Sequence, residues 1–244
     1  MSDLDERLRR AIRDFWKVRD TQAEKQGGTT GRRDAGLRTA VTGGKHLHGL
    51  VELCRDLLIS AGLSEAHVYC RENLELPGYF RSQKNWDLLA VVDGQLLAVI
   101  EFKAQVGPSF GNNFNNRAEE ALGNATDLWA AYREGAFQPS ARPWLGYVFI
   151  LEDCPKSQTP VKIKEPHYSV FPEFREASYA RRYEILLTKL VRERLYDGAC
   201  LLLTPQPSRG RVQVHSPSDE LSFRTFAAGM MGRAAAHAAI RKAR

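Results

Sequence analysis

Apolar residues recur along this chain with two periods, and the switches between them mark its elements. Helical spacing runs through Leu4 to Lys25, where Leu4, Leu8, Ile12 and Phe15 form one stripe. It returns in His46 to Ile59, where Leu47, Leu50, Leu53, Cys54, Leu57 and Leu58 form another. Gly62 lies just past that second helix, where a C-cap is expected. A third stripe, of Ala118, Ala121, Leu122, Ala125, Leu128, Trp129 and Tyr132, predicts a helix over Arg117 to Ala136 and places Trp129 in the core. Ser178 is positioned to cap a fourth helix reaching about Leu195, and Asp219 to Arg244 closes the chain as an Ala-rich fifth. Short apolar runs without helical spacing predict strands over His67 to Leu74, Trp144 to Leu151 and Gly198 to Thr204, while Arg211 to His215 alternates like an edge strand. Leu76 to Lys84, Val106 to Asn116 and the Pro-punctuated Cys154 to Phe174 read as loops.

One stretch breaks the pattern by carrying charge. Trp86 to Gln105 reads WDLLAVVDGQLLAVIEFKAQ, with apolar runs Leu88 to Val92 and Leu96 to Ile100 on either side of Asp93-Gly94, a strong hairpin signal. Runs apolar at nearly every position belong to strands covered on both faces. Asp87, Glu101 and Lys103 therefore stand in a region where an unpaired charge costs several kcal/mol, roughly. Register decides whether they meet. A two-residue loop would set Asp87 opposite Ile100 and turn Glu101 to the other face. A three-residue loop, Asp93 to Gln95, or a bulge with the same effect, sets Asp87 across from Glu101, and Lys103 joins that face by alternation. We expect the second register because it gathers the charge in one place. Two carboxylates beside a lysine then form a divalent-metal site with a cation next to it. The plainer alternative is an ion-pair cluster with no chemistry.

Composition narrows the partners. With 244 residues, 43% of them hydrophobic, the chain fits one domain over 1–244, the first helix and a basic Gly-rich segment (about 1–45) being an elaboration. The formal charge of +6 suits a polyanion. Cys54, Cys70, Cys154 and Cys200 are scattered, which argues against zinc and against disulfides in what reads as a cytoplasmic protein. The amino terminus has no apolar signal region, and no stretch approaches a membrane span.

Several segments have the chemistry to hold DNA. Gly27 to Lys45 combines glycines and threonines with Arg32, Arg33, Arg38 and Lys45 but lacks the spacing of a nucleotide-binding loop. Arg81 and Lys84 interleave with Tyr79 and Phe80 just before the charged hairpin. Gln105 shares the strand face of Glu101 and Lys103. Asn112, Asn113, Asn115 and Asn116 could read base edges or merely satisfy turns, and Lys162 and Lys164 lie in the long connection. His46 and His48, two apart, point in different directions on a helix and are not read as ligands.

Asp87, thirteen intervening residues, then Glu101-Phe102-Lys103 resembles the PD-(D/E)XK nuclease motif, with Trp86 in place of the proline. The surrounding run RSQKNWDLLAVVDGQLLAVIEFKAQVGPSFGNNFNNRAEEALGNA, Arg81 to Ala125, resembles the XhoI family of type II restriction endonucleases. That resemblance implies a restriction-endonuclease-like α/β core, a mixed central sheet flanked by helices, which the predicted element order matches. It implies Mg2+-dependent hydrolysis of double-stranded DNA at the palindrome CTCGAG, and hence a cognate DNA methyltransferase as functional partner. Asp87 and Glu101 would be metal ligands with the Phe102 carbonyl a further one, and Lys103 would position or deprotonate the attacking water and stabilise charge. Glu52 is a candidate third acid, since nucleases of this fold often present a helical glutamate. A palindromic target makes a two-fold homodimer the economical assembly. Two alternatives stay open: a repair or junction-resolving nuclease on the same core, and a non-catalytic DNA-binding regulator.

Overall fold

The structure, a computed structural model, describes residues 2–27, 45–208 and 211–243, without the side chains of 2, 22–27 and 45. Helix α1 spans Ser2–Gly27 and α2 His48–Ser60, close to the predicted bounds. Strand β1 is only Val68–Tyr69, and a small ribbon of β2 (Glu75–Pro77) and β3 (Gln83–Asn85) follows. The central strands are β4 (Leu88–Val92), β5 (Gln95–Gln105), β6 (Trp144–Glu152) and β7 (Gly198–Thr204). Helices α3 (Gly111–Arg133), α4 (Tyr179–Arg192) and α5 (Phe223–Lys242) are the other long ones, and the expected loop Cys154 to Phe174 carries a single turn of α-helix at Pro155–Gln158. Ser178 and Ser222 cap α4 and α5 by accepting from the Arg181 and Thr225 N–H groups.

The main sheet has the order β1-β4-β5-β6-β7. Its first half is antiparallel, its second half parallel. This is the expected α/β architecture. Helices α3 and α4 are the crossovers β5-to-β6 and β6-to-β7, and both pack on one face with Tyr147, Phe149, Leu201 and Leu203. Helices α1, α2 and α5 cover the other, over Val148, Ile150, Cys200 and Leu202. Alternation along buried strands thus feeds two separate cores. Among the described residues no helix is long and apolar enough to cross a membrane.

Four local expectations are corrected. His67 to Leu74 does not run as one strand: it turns after Tyr69, with Asn73 in the left-handed region at φ 59°, and polar Arg71 and Glu72 have no sheet face to bury. The expected loop Leu76 to Lys84 contains the β2–β3 ribbon instead. Asn112 to Asn116 lie in the first turns of α3, because Phe110 (2% exposed) and Phe114 anchor that end and packing overrides the turn preference of asparagine. Arg211 to His215 forms isolated bridges rather than a strand. Leu203 and His215 exchange backbone hydrogen bonds, but the Thr204 hydroxyl takes the Gln213 carbonyl that a longer ladder would need.

Candidate active site

The β4–β5 connection is a two-residue turn, with Val92 paired to Gln95, and not the three-residue loop. The pairing then slips: Val91 faces Leu96 while Ala90 faces Ala98, leaving Leu97 as the extra residue of a bulge. Leu97 and Ala98 both enter the core that α1, α2 and α5 cover, and from Ala98 onward the register is shifted by one. Leu88 therefore pairs with Ile100, which brings Asp87, one residue before the strand, level with Glu101. The bulge achieves what the odd loop was expected to achieve.

Asp87, Glu101 and Lys103 accordingly share the face covered by α3 and α4. Asp87 Oδ2 accepts the Phe102 N–H at 2.7 Å, across the open end of β4. The N–H and C=O of one antiparallel strand residue point to the same edge, so the Phe102 carbonyl is turned toward the carboxylates too. Glu101 is 1% exposed and is held by two ammonium groups. Lys103 pairs with Oε1, and Lys84 donates to Oε2 at 2.9 Å. Lys84 also donates to the Asn85 carbonyl at 3.0 Å and sits 4.3 Å over the ring of buried Trp86.

Electrostatics separate the groups. Burial, and then the neighbouring Glu101, push the Asp87 carboxyl from 3.8 to about 6, against the opposing pull of Lys103, the Phe102 N–H and Lys84. Burial disfavours the Lys103 cation, but Glu101 and Asp87 outweigh it and raise its pKa. Lys103 is therefore a firmly held positive charge, able to stabilise anionic oxygen. A buried acid made reluctant to ionise, beside a second acid held by two lysines, is a concentration of titratable groups of the kind found at functional sites.

The remaining predicted residues divide. Lys84, expected to touch DNA, stands on β3 as the second cation on Glu101; its strand of three residues is too short to read in sequence. Glu52 belongs to the helix layer on the opposite face, held by Arg71 at 3.1 Å, His48 at 3.4 Å and Arg55 at 3.6 Å. It does not join Asp87 and Glu101: among the described residues no group of three or more His, Cys, Asp or Glu side chains is placed to hold a metal ion. Gln105 lies on the predicted face, but its buried amide donates to the Ser109 and Phe110 carbonyls and accepts from the Tyr183 hydroxyl, which fixes the approach to α3. Asn113 donates to the Ser109 carbonyl, whereas Asn112, Asn115 and Asn116 are exposed on α3. Lys162 and Lys164 are exposed. Arg32, Arg33, Arg38 and the Lys45 side chain lie outside the described residues.

Asp127 on α3 went unnoticed in the sequence. Only 5% exposed, it accepts the backbone N–H groups of Tyr79 and Phe80 at 2.8 Å each and Arg81 Nε at 2.7 Å. Burial acts to raise its pKa, but the Phe80 N–H, Arg81 and the Tyr79 N–H outweigh burial and lower it. Arg81 thus serves to fix the β2–β3 tip to α3, also reaching Asn124 at 2.9 Å. Gly78 is required there, since a Cβ would come within 2.6 Å of Asp127.

Residues 25–215 match the family described as Restriction endonuclease XhoI. The type II restriction enzyme BstVI of Geobacillus stearothermophilus is 47% identical over 213 residues, which covers 85% of this chain and 95% of that protein. The type II restriction enzyme XhoI of Xanthomonas vasicola is 42% identical over 193 residues, covering 78% of this chain and 77% of the relative. The type II restriction enzyme AbrI of Azospirillum brasilense is 44% identical over 169 residues, covering 69% and 75%. No solved structure matches the chain.

Proposed function

This chain belongs to the XhoI family of restriction endonucleases, and from that premise we propose that it hydrolyses double-stranded DNA at CTCGAG with Mg2+, using Asp87, Glu101 and Lys103. The observation that carries the reading is the meeting of two carboxylates and a lysine on one face at the open end of β4, produced by a bulge that has no other evident use.

The donor set fits magnesium. Asp87, Glu101 and the Phe102 carbonyl are oxygen donors, and a bound cation would favour the ionised Asp87 that burial and Glu101 disfavour. Magnesium prefers such donors and retains several waters, so two carboxylates suffice. When bound, it supplies charge stabilisation at the phosphate and acidifies water. The protein residues do the rest. Lys103 is charged and stands beside the carboxylates, where its ammonium would offset negative charge developing on the phosphate during displacement. Lys84 keeps the second Glu101 oxygen oriented. The Phe102 N–H holds Asp87 in place, and Trp86 closes the floor of the site. Asn112, Asn115 and Asn116 at the start of α3 are exposed and carry amides able to read base edges. A homodimer with one site per strand fits a palindrome. A cytoplasmic setting with a cognate methyltransferase follows from the same reading.

Digestion of a linear duplex carrying a few CTCGAG sites, with magnesium and with chelator, tests this. Discrete fragments ending at those sites, only with magnesium, are expected. Fragments ending elsewhere would retain the enzyme class and discard the sequence. Intact DNA with well-folded protein would reject the reading.

A further inference from the structure

Helix α3 lays a stripe of Phe114, Arg117, Ala121 and Ala125 toward the sheet. Two contacts fix where that stripe lies. Phe114 meets the Tyr183 ring edge-on at 5.1 Å, and Tyr183 stacks at 4.2 Å on Phe149, the β6 neighbour of Lys103. Seven residues on, the Ala121 carbonyl accepts the Tyr196 hydroxyl at 3.0 Å, and the Tyr196 ring packs at 5.3 Å on Tyr147, the β6 neighbour of Glu101. Arg117 lies midway along this stripe and so hangs over the Lys103 and Glu101 rows.

Its guanidinium is poorly served there. The side chain is 16% exposed, and its contact is with Glu120, a 43% exposed neighbour one turn away. Arg117 Nε is buried without a hydrogen-bond partner among the described residues, and so is the hydroxyl of Tyr147 beside it. The Arg117 charge disfavours the Lys103 cation and favours the phenolate forms of Tyr147 and Tyr183, so it lies near all three. An i,i+3 pair with a surface carboxylate is weak and does not account for placing a guanidinium in this position. A buried donor without a partner calls for an explanation in a folded protein, and an anion completing the guanidinium supplies one here, beside the carboxylates and Lys103.

We propose that Arg117 is a phosphate-binding residue of the cleavage site, held in the DNA-free protein by Glu120, whose carboxylate it exchanges for an oxygen of the phosphate to be cut. The inference rests on the nuclease reading above and adds a residue to it. Arg117 offers a planar fork with donors to spare, suited to a tetrahedral anion, whereas Lys103 offers a single charged point. With Lys84 and Lys103 committed to Glu101, Arg117 is the cation of this face whose present partner is easiest to surrender.

The test compares binding of the full-length protein, in chelator, to two duplexes carrying the recognition sequence. One is unmodified; in the other the phosphate at the mapped cleavage position is replaced by an uncharged methylphosphonate. Arg117→Ala is expected to weaken binding to the unmodified duplex about tenfold or more and to the neutral duplex less than about twofold. Glu120→Gln, a surface change that leaves the fold intact, is expected to tighten binding to the unmodified duplex about two- to fivefold and to leave the neutral one unchanged. In magnesium, Arg117→Ala is expected to slow single-turnover cleavage about 100-fold, with Arg117→Lys recovering part of the loss. Equal weakening by Arg117→Ala on both duplexes would overturn the proposal and make Arg117 structural. Should Arg117→Ala fail to fold, Glu120→Gln decides alone, and no tightening refutes the latch. Wild-type protein that neither binds nor cuts the unmodified duplex would instead bring down the nuclease reading itself.

Discussion

Replacing Asp87 by Asn separates what this carboxylate costs the fold from what it does for chemistry. Asn has the same shape and can still accept the Phe102 N–H through its amide oxygen. Raising the carboxyl from 3.8 to about 6 corresponds to about 3 kcal/mol of folding free energy opposed to the ionised form. The folded protein binds the Asp87 proton more tightly than the unfolded chain does. Its contribution to stability is thus fully present below about pH 3.8 and lost as pH rises through about 6. In chelator, Asp87→Asn should therefore match the wild type near pH 4 and exceed it by about 3 kcal/mol at pH 8. For a chain of this size that is about 6–12 °C in Tm. Thermal melts across this pH range measure it, and magnesium should narrow the gap by stabilising only the wild type. The same variant should bind its DNA site without cutting it. A difference in Tm that stays flat with pH, or a variant less stable than wild type at pH 8, would refute the reasoning. Asp87 would then be a satisfied member of an ion-pair cluster.

Glu101→Gln should behave oppositely in chelator, losing about 3 kcal/mol at pH 8 because Lys84 and Lys103 lose the buried anion between them; urea denaturation measures this. Lys103→Ala should bind the duplex within about threefold of wild type yet cut about 100-fold or more slowly in single-turnover assays. Substantial cutting by that variant would remove Lys103 from the mechanism. Asp127→Ala should cost about 2–4 kcal/mol by releasing the Tyr79–Arg81 tip. Faster amide exchange at Tyr79 and Phe80 would report it, and unchanged exchange would contradict the anchoring role. Gln105→Leu should lower stability by about 1–3 kcal/mol by removing two amide hydrogen bonds and the acceptor of the buried Tyr183 hydroxyl, visible in the same denaturation assay.

Much of this arrangement was readable before any coordinates. Strands such as Gly198–Thr204, buried on both faces, must be apolar at every position, and helices such as α2 must repeat their apolar residues at 3.6; both constraints are local and leave marks in the chain. Asp87, Glu101 and Lys103 were conspicuous for the same reason, as charges set in runs that otherwise exclude them. Their convergence followed from counting residues, although a bulge at Leu97 and not the turn supplied the odd residue. Both solutions satisfy one alternation pattern, so sequence could not choose between them.

What tertiary structure alone decided is the company these residues keep. Lys84 reaches Glu101 because a ribbon of two three-residue strands folds back beside β4, and elements so short have no periodicity to detect. Glu52 carries the right chemistry, yet its helix packs on the far face of the sheet, a matter of which side a crossover takes. Gln105 has the right face, yet its amide is consumed by backbone carbonyls that only the turn into α3 brings near. Asp127 and Arg117 stand on α3 among many polar residues. What distinguishes them, a tip held by one carboxylate and a guanidinium hung over the catalytic rows, comes from contacts 46 residues apart along the chain for Arg81–Asp127 and from the layering of α3 on β6. Sequence fixes periodicity and exceptional charge because these act between near neighbours. Partnership between distant side chains is settled only when the layers pack.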